Sequence, residues 1–351
     1  MAVQDLPIVL YTYDGSPYGR RLVWYLNLRK IPFKTCHQPP ILPRPDLQLL
    51  GLSYRRIPLL AIGRDVYLDT RLIIAKLEQL YPTRSGQEQQ QYPGISPQTP
   101  EHRALQQLLS RHVNESPGAL FGRAAQLMPA DSPALRNEHF VRDRNQLVTG
   151  KPDGKAFSPA SLAAARPAAL VEIARFVELL EGTLLADGRD WVFGGQGPSL
   201  GDIEAVFVLH WLTTMPGALP AEVVGAGRYP KTFAWIARFD QFVKKSAAKP
   251  DVVKGQEAAS IVLGAEYAEE PSGGVQRDDP VIAAAGFQPG DVVTMWPVDQ
   301  APVNKDSGTL VKMDGVEVVI EVLSKDGKAV RVHAPRHGFK VVKGSQAGAK
   351  M

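Results

Sequence analysis

The pattern of apolar and polar positions over residues 7–82 alternates between two periods. Apolar runs short enough for buried strands occupy 8–13, 32–37, 58–62 and 66–68. Segments with apolar residues every three to four positions, as on one face of a helix, are 17–29 and 70–80. The turn Gly63-Arg64-Asp65 joins the last two strands into a hairpin. Strand, helix, strand, hairpin and closing helix predict a small α/β unit with a mixed sheet, residues 1–83.

The pattern changes beyond this unit. Residues 84–99 are polar, rich in Gly and Pro, and lack periodicity, which predicts a linker. From 100 to 249 the spacing is helical throughout, with an exposed loop predicted at 151–159. The predicted helices of this all-α domain include 101–113, 133–147, 166–185 and 199–214. Ser199 and Asp202 stand three apart before an apolar run, which predicts a capping box.

The last hundred residues have a third pattern. Residues 250–285 form a connector with a short helix at 254–264. Five short alternating runs follow within 286–345, and Asp-Gly pairs at 314–315 and 326–327 predict hairpin turns between them. This predicts a separate, small all-β domain, of the SH3-like barrel kind.

Composition restricts the function. The net charge is only +4, from 40 basic and 36 acidic residues, and no dense Lys/Arg block stands out, which argues against a nucleic-acid partner. No apolar run approaches 18 residues and the N-terminus has no charged leader, so no membrane span or signal peptide is predicted. The single cysteine, Cys36, excludes an intramolecular disulfide, and no spacing typical of metal ligands occurs. A cytoplasmic protein without a metal is expected.

The segment Y-T-Y-D-G-S-P-Y-G-R-R, residues 11–21, places Ser16 and Pro17 where the first strand gives way to a helix. Ser is a favoured N-cap and Pro the favoured first helical residue, so a purely structural role is one interpretation. The other is that a hydroxyl at the positive end of a helix holds an anion such as a thiolate. Tyr13 is the competing hydroxyl, although it and Tyr11 are also explained as core or subunit-contact aromatics.

Four short elements in this order and spacing resemble those of the cytosolic glutathione transferase superfamily. They are S-P-Y-G-R (16–20), R-I-P-L-L (56–60), Asp69-Thr70 and P-S-L-G-D-I (198–203). The first resembles the serine-type members, including fungal transferase-like proteins with roles in secondary metabolism. The resemblance covers residues 7–249 and leaves the C-terminal β unit uncovered. It implies a thioredoxin-like domain followed by a helical bundle, a homodimer, and glutathione as co-substrate.

The resemblance also implies roles for particular residues. Ser16 would stabilise the glutathione thiolate, with Tyr13 as the alternative. A cis peptide bond before Pro58 would expose the backbone of Ile57 for pairing with the cysteinyl part of glutathione.

The two ends of glutathione have their own candidates. Asp69 and Thr70 would hold the γ-glutamyl end; Asp is one methylene shorter than the Glu of the family, and helix capping explains it equally well. Arg44, or alternatively Arg55 or Arg56, would bind the glycyl carboxylate, since an arginine fork suits a carboxylate; Arg44 is preferred. Candidates for contacting the second substrate are Tyr18, Arg111 and His112.

The predicted function is therefore transfer of glutathione, as thiolate, to a small hydrophobic electrophile. A glutathione-dependent cis-trans isomerase uses the same chemistry. A glutathione-independent biosynthetic enzyme such as a cyclase, or a non-catalytic binding or scaffold protein, would keep the fold without the cofactor. The sequence leaves these alternatives open.

Overall fold

The structure is a computed structural model that describes residues 3–83, 92–115, 119–270 and 274–344. The predicted linker 84–99 therefore lies partly outside the described residues. The chain divides into two compact units. The first comprises Met1–Gly19, Pro32–Pro82 and Pro250–Met351, and the second comprises Arg20–Ile31 and Thr83–Lys249. Within the described ranges no helix combines the length and apolarity that crossing a bilayer requires.

The N-terminal part of the first unit has the predicted mixed α/β arrangement. Its elements are β1 (Ile8–Thr12), α1 (Pro17–Leu28), β2 (Lys34–His37), α2 (Pro45–Leu49), β3 (Leu59–Ile62), β4 (Asp65–Leu68) and α3 (Thr70–Leu80). Strand β1 pairs in parallel with β2 and antiparallel with β3, which pairs antiparallel with β4. All residues of β1, β3 and β4 are buried, as their apolar runs predict.

The second unit is helical, as predicted. It takes α1 from Arg20 onward, together with α4 (Pro100–Asn114), α5 (Leu120–Ala125), α6 (Pro133–Arg136), α7 (Glu138–Thr149), α8 (Pro159–Leu179), α9 (Leu200–Thr213) and α10 (Pro230–Lys245). Helix α9 begins at the predicted capping box, with Ser199 N donating to Asp202 Oδ2 at 2.8 Å and Asp202 N to Ser199 Oγ at 3.4 Å. Asp202 also accepts from the Trp235 indole, so this cap is fixed by the surrounding core.

Two helix boundaries differ from prediction because capping residues outrank apolar periodicity. The segment 133–147 is two helices, since the Asn137 side chain accepts from Phe140 N and starts α7 afresh. Helix α8 begins at Pro159 rather than 166, because Ser158 caps it and Pro159 occupies the first helical position.

The C-terminal region returns to the first unit. Its elements are β5 (Asp251–Val252), α11 (Gly255–Gly264), α12 (Pro280–Ala285), β6 (Val292–Pro297), β7 (Asp306–Met313), β8 (Glu317–Leu323), β9 (Ala329–Pro335) and β10 (Phe339–Lys343). The five strands predicted within 286–345 are present, and successive strands from β6 to β9 pair antiparallel, with β10 returning to β6.

These strands do not form the separate domain that the sequence suggested. Strand β9 pairs in parallel with β4, matching Val66 with Val332 and Tyr67 with His333, and β5 pairs with β2. In the described part of the chain, one ten-stranded sheet results, in the order β10-β6-β7-β8-β9-β4-β3-β1-β2-β5. The physical reason is that β4 is an apolar edge strand, whose backbone groups and side chains need a neighbour.

A buried histidine lies at the junction of β4 and β9. His333 is 3% exposed, and its Nε2 is 2.8 Å from Asp65 Oδ1 on β4, while Nδ1 is 3.1 Å from Glu317 Oε2 on β8. A carboxylate accepts hydrogen bonds, so acceptors on both sides of the ring favour the form with hydrogen on both nitrogens, the imidazolium. Burial lowers the pKa of His333, but the hydrogen bonds and charges of Asp65 and Glu317 outweigh it and raise the pKa.

Two lysines complete this cluster. Lys76 Nζ is 2.7 Å from both Glu269 Oε2 and Glu317 Oε1, and Lys312 Nζ is 2.8 Å from the latter. Potential ligand atoms of Glu269, Glu317 and His333 lie within 4.8 Å of one another, as in a metal site. Each of these carboxylates is, however, paired with a cation: Asp65 with His333, Glu269 with Lys76, and Glu317 with His333, Lys76 and Lys312, which also pairs with Asp314 at 3.2 Å. We therefore interpret the cluster as a compensated ion network that joins the strands.

We predict that His333→Gln makes the protein less stable by about 3–5 kcal/mol near pH 6, because two carboxylates lose the cation between them. Since the folded pKa of His333 is raised, its contribution is fully present below the unfolded pKa and is lost as pH rises through the folded pKa. Urea unfolding of the native chain should show this decline on the alkaline side, and the variant should lack it.

The matched control is His139→Gln, at an exposed histidine of α7, which should leave the pH dependence as it is in the native chain. An equal alkaline decline in the His333→Gln variant would contradict the imidazolium assignment.

Candidate functional site

The candidate site residues of the first unit converge through strand register. Tyr11 is opposite Leu59, and Leu59 is opposite Leu68. The exit of β1, the segment entering β3 and the exit of β4 consequently lie at one edge of the sheet. This brings together the three backbone segments 13–16, 57–58 and 69–70, which carry most of the predicted glutathione-binding residues.

Ser16 is the N-cap of α1, as its spacing predicts. Its Oγ accepts a hydrogen bond from Gly19 N at 3.1 Å, and its own N–H donates to Tyr13 O at 3.1 Å. Ser16 is 3% exposed, and among the described residues its hydroxyl hydrogen has no acceptor. Capping uses a lone pair of the oxygen and leaves the O–H group able to donate. The capping and thiolate-binding interpretations are therefore compatible.

A second hydroxyl at this site was missed by the sequence analysis. Thr12 is the last residue of β1 and 6% exposed, and its Oγ1 is buried with no hydrogen-bond partner among the described residues. A Cβ added at Gly19 would lie 2.1 Å from this oxygen and 3.2 Å from Ser16 Oγ. Gly19 thus lets the first turn of α1 approach the end of β1. Only the small size of Gly19 in the sequence could have indicated this packing.

The tyrosines near the site occupy different environments. Tyr13 is half-buried and packs against the core of the first unit, and Tyr18 is half-buried in the first turn of α1. Tyr11 is fully buried, and burial, followed by electrostatic interactions with Cys36 and Asp46, raises the pKa of its hydroxyl. Cys36 is itself buried beside Asp46, and burial raises the pKa of this thiol to about 12. Tyr11 and Cys36 therefore belong to the core.

The backbone of Ile57 carries hydrogen-bonding groups that the described residues leave unpaired. The Ile57–Pro58 peptide bond is cis, as the family resemblance implied. Within the described residues, neither the N–H nor the C=O of Ile57 has a hydrogen-bond partner. Ile57 is 8% exposed, and paired backbone groups are the rule for buried residues. Both sides of β3 are occupied by β1 and β4, but an extended peptide that paired with the segment entering β3 would supply both partners of Ile57.

Asp69 and Thr70 begin α3 beside this backbone. Asp69 is the N-cap at φ 65°, and its Oδ1 accepts from Arg71 N at 2.9 Å while its Oδ2 accepts from Arg71 Nη2 at 2.9 Å. Burial by itself would raise the pKa of Asp69, but the hydrogen bonds and charge of Arg71, with a contribution from Arg56, lower it. The sequence analysis missed Arg71, whose position two residues after the cap was the available signal. Thr70 is 4% exposed.

The arginines near the site are engaged with the protein itself. Arg44 is 6% exposed, and its guanidinium donates to the carbonyl oxygens of Pro39, Pro40 and Arg55. This arrangement fixes the loop before α2, so Arg44 supports the site and does not offer a free guanidinium to a ligand carboxylate.

Arg56 is also engaged: it binds the Asp299 carboxylate and donates to Gln300 O at 2.7 Å.

The two predicted second-substrate residues of the helical unit lie in consecutive positions near the end of α4. The Arg111 side chain is 67% exposed and forms an ion pair with Glu115 at 3.8 Å. His112 packs its ring against Phe176, with centroids 5.4 Å apart. Arg111 is thus accessible in this unit, whereas His112 is part of helix packing.

Comparison with protein families gives two matches. Residues 10–85 match the family model described as glutathione S-transferase, N-terminal domain. Residues 123–248 match one described as a domain of unknown function (DUF7962). No curated protein sequence matches the chain.

Comparison with solved structures extends the likeness to the C-terminal region. A GST-like protein from Pseudomonas syringae is 24% identical, with 96% of this chain and 100% of that chain covered and a TM-score of 0.69. A tau class glutathione S-transferase from mango, Mangifera indica, is 18% identical, with coverages of 72% and 96% and a TM-score of 0.48. A theta class glutathione S-transferase from Xanthomonas axonopodis pv. citri, with glutathione bound, is 17% identical, with coverages of 70% and 98% and a TM-score of 0.47. The chain has the GST-like fold, a thioredoxin-like domain with a helical domain, and an additional C-terminal all-β region, which confirms the predicted fold class.

We predict that Gly19→Ala makes the protein less stable by about 1–3 kcal/mol, because the added methyl group overlaps Thr12 Oγ1. Thr12→Ala in the same chain removes the overlap and should restore most of the loss, as a double-mutant cycle of urea unfolding would show.

The control is Gly122→Ala in α5, where the new Cβ meets nothing within 4 Å and alanine favours the helix. A Gly19→Ala variant as stable as the Gly122→Ala variant would contradict the packing described for the start of α1.

Proposed function

We propose that this sheet edge binds glutathione and that Ser16 stabilises its thiolate. The observation that carries the proposal is the Ser16 hydroxyl, which caps α1 with a lone pair and keeps its hydrogen available for a sulfur. The match of residues 10–85 to the N-terminal domain of glutathione S-transferases supports the choice of ligand. Among the described residues, the N–H and C=O of Ile57 are unpaired, which supports a ligand that is an extended peptide.

One hydroxyl and one helix N-terminus supply enough free energy to lower the pKa of a bound thiol by about two units. An unperturbed thiol has a pKa of about 8.5, and lowering the pKa by about two units requires roughly 2.7 kcal/mol. A hydrogen bond to a charged acceptor contributes roughly 1.5–3 kcal/mol. The N-terminus of α1 adds about 0.3–1 kcal/mol for an anion close to its first turn. Ser16 and α1 together therefore suffice, without a general base.

The remaining contacts of the peptide follow the edge. Ile57 N–H and C=O would pair with the cysteinyl residue, next to Pro58. The γ-glutamyl end would lie at the start of α3, where the carboxylate meets Thr70 and the helix N-terminus. Asp69 keeps its ionised carboxylate there through Arg71, and is available to the ligand's ammonium group.

The chemistry is addition of the thiolate to a small hydrophobic electrophile. The sulfur lone pair forms a C–S bond with the electrophilic carbon. The displaced electron pair leaves with the leaving group, or enters a conjugated system that takes a proton from solvent. Elimination of the thiolate after bond rotation would make the same site an isomerase. Tyr18 of the first unit and, separately, Arg111 of the helical unit remain candidates for contact with the second substrate, and a homodimer belongs to the same proposal.

We predict that Ser16→Ala retains glutathione binding but loses most of the ultraviolet absorbance of the bound thiolate near neutral pH. Loss of about two pKa units of activation, from about 6.5 to about 8.5, lowers the thiolate fraction at about pH 7, and with it the rate of conjugation with a model electrophile, roughly 25-fold. Titration calorimetry measures binding, and absorbance measures the thiolate in the same samples.

Ser158→Ala is the matched control, since Ser158 caps α8 through a bond to Ser161 N and its loss costs a cap of the same kind. It should leave the thiolate signal intact. Persistence of the signal in Ser16→Ala would transfer the role to Tyr13 or Thr12. Absence of glutathione binding by the native chain at millimolar concentration would refute the proposal and favour a glutathione-independent role.

A further inference from the structure

The segment that carries Ile57 is held by the C-terminal strands. Asp306, the first residue of β7, is 4% exposed, and its Oδ1 accepts from Ser53 N at 2.6 Å. The backbone of Tyr54 donates to the same carboxyl group. Asp306 therefore binds two successive backbone N–H groups, the first of them 253 residues earlier in the chain, in a segment three to four residues before Ile57.

Other contacts fix the same segment from the same side. The Tyr54 ring stacks on Phe339 of β10, with centroids 6.1 Å apart. Arg56 binds Asp299 and Gln300, in the turn between β6 and β7. We define residues 53–57 as the entry segment, since it leads into β3. The backbone of Ser53 and Tyr54 contacts β7, the Tyr54 ring contacts β10, and the Arg56 side chain contacts the β6–β7 turn.

We propose that Asp306 is a positioning residue for the glutathione site and that its ionised carboxylate, by holding the entry segment, aligns the Ile57 backbone with the ligand. This inference rests on the proposed function. It assigns to the C-terminal strands a part in ligand binding within the same unit. No contact between Asp306 and the ligand is required, because the carboxylate acts through Ser53 and Tyr54.

The carboxyl group of Asp306 changes its charge near pH 6. Burial raises the pKa of Asp306 to about 6, and the hydrogen bonds from the Ser53 and Tyr54 backbone act in the opposite direction.

The other charged or titratable groups around Tyr54 are Arg56, Asp69 and Asp299. Arg56 and Asp299 form an ion pair, burial raises the pKa of the Tyr54 phenol, and Arg71 lowers that of Asp69. Lys305, next along the chain, lies over the Trp296 ring.

The two backbone N–H groups that donate to Asp306 decide how its protonation changes the hold on the entry segment. A carboxylate accepts both N–H groups strongly, whereas a protonated carboxyl is a weaker acceptor and introduces an O–H group of its own. Because the folded pKa is raised, ionisation of Asp306 lowers stability as pH rises from about 4 to about 6. The chain thus keeps a carboxylate at physiological pH at a cost in stability, as positioning groups at functional sites often do.

The test uses S-methylglutathione, which has no thiol proton and so removes the chemistry of Ser16 from the pH dependence. For the native chain, affinity measured by calorimetry should fall about fivefold from about pH 7 to about pH 5, if binding lowers the pKa of Asp306 from about 6 by about one unit. Asp306→Asn should bind weakly at about pH 7 and show no such fall. Asp279→Asn is the matched control, because Asp279 Oδ1 accepts from Val281 N and Ile282 N within its own helix.

A ligand-free measurement separates positioning from general destabilisation. In Asp306→Asn, amide hydrogen exchange should accelerate at Ser53 and Tyr54 and not across β6–β10, while Asp279→Asn leaves the entry segment unchanged. An Asp306→Asn variant that keeps native affinity and its native pH dependence would overturn the inference and leave the proposed function standing. If the native chain and the Asp279→Asn control both fail to bind S-methylglutathione, the proposed function itself fails, and the inference with it.

Discussion

The pairing of β9 with β4 is the constraint on which the rest of the first unit depends. Every residue of β4 is buried, and β9 covers its free edge in register, placing Tyr67 opposite His333. This pairing brings His333 between Asp65 and Glu317, where its ring bonds to both buried carboxylates, and Lys76 and Lys312 supply further positive charge to Glu317. Without β9, the carboxylate of Asp65 would lack the His333 ring. The backbone groups along the free edge of β4 would also lack hydrogen-bond partners.

The same pairing gives the C-terminal strands access to the site. Since β9 runs parallel to β4, the turn after β9 emerges at the edge where α3 begins, and a Cβ at Gly338 would lie 3.7 Å from Arg71. Strand β7 and the turn before it then meet the entry segment through Asp306 and Asp299. A sheet extension that removes an exposed edge therefore also stabilises the backbone beside Ile57. The pairing of β9 with β4 thus accounts both for the covered edge of β4 and for the contacts that hold the entry segment.

Local signals in the sequence predict much of this structure. The cap at Ser16, the capping box at Ser199 and the strands within 286–345 follow from short-range pattern and turn chemistry, and the structure confirms them. The cis bond before Pro58 follows only from the family resemblance, because most such bonds are trans. Helix boundaries at Asn137 and Ser158 were misplaced, since capping competes with periodicity over a few residues.

Long-range partners are what local pattern could not supply. Asp65 and His333 are 268 residues apart, and nothing in either strand specifies the other as its neighbour. For the same reason the sequence offered Arg44 as a carboxylate ligand, although its guanidinium is occupied by backbone carbonyls, and gave no role to Asp306 or Thr12. Donor and acceptor partners decide what a side chain is free to do, and they are a property of the fold.

If glutathione binds at the edge formed by Ser16, Pro58 and Asp69, its backbone pairs with that of Ile57. Residue-resolved amide hydrogen exchange of the native chain, with and without millimolar glutathione, measures this pairing. Strong protection of the Ile57 amide is expected on binding, with smaller protection at the start of α3. Unchanged exchange at Ile57, with protection elsewhere in the chain, would contradict it.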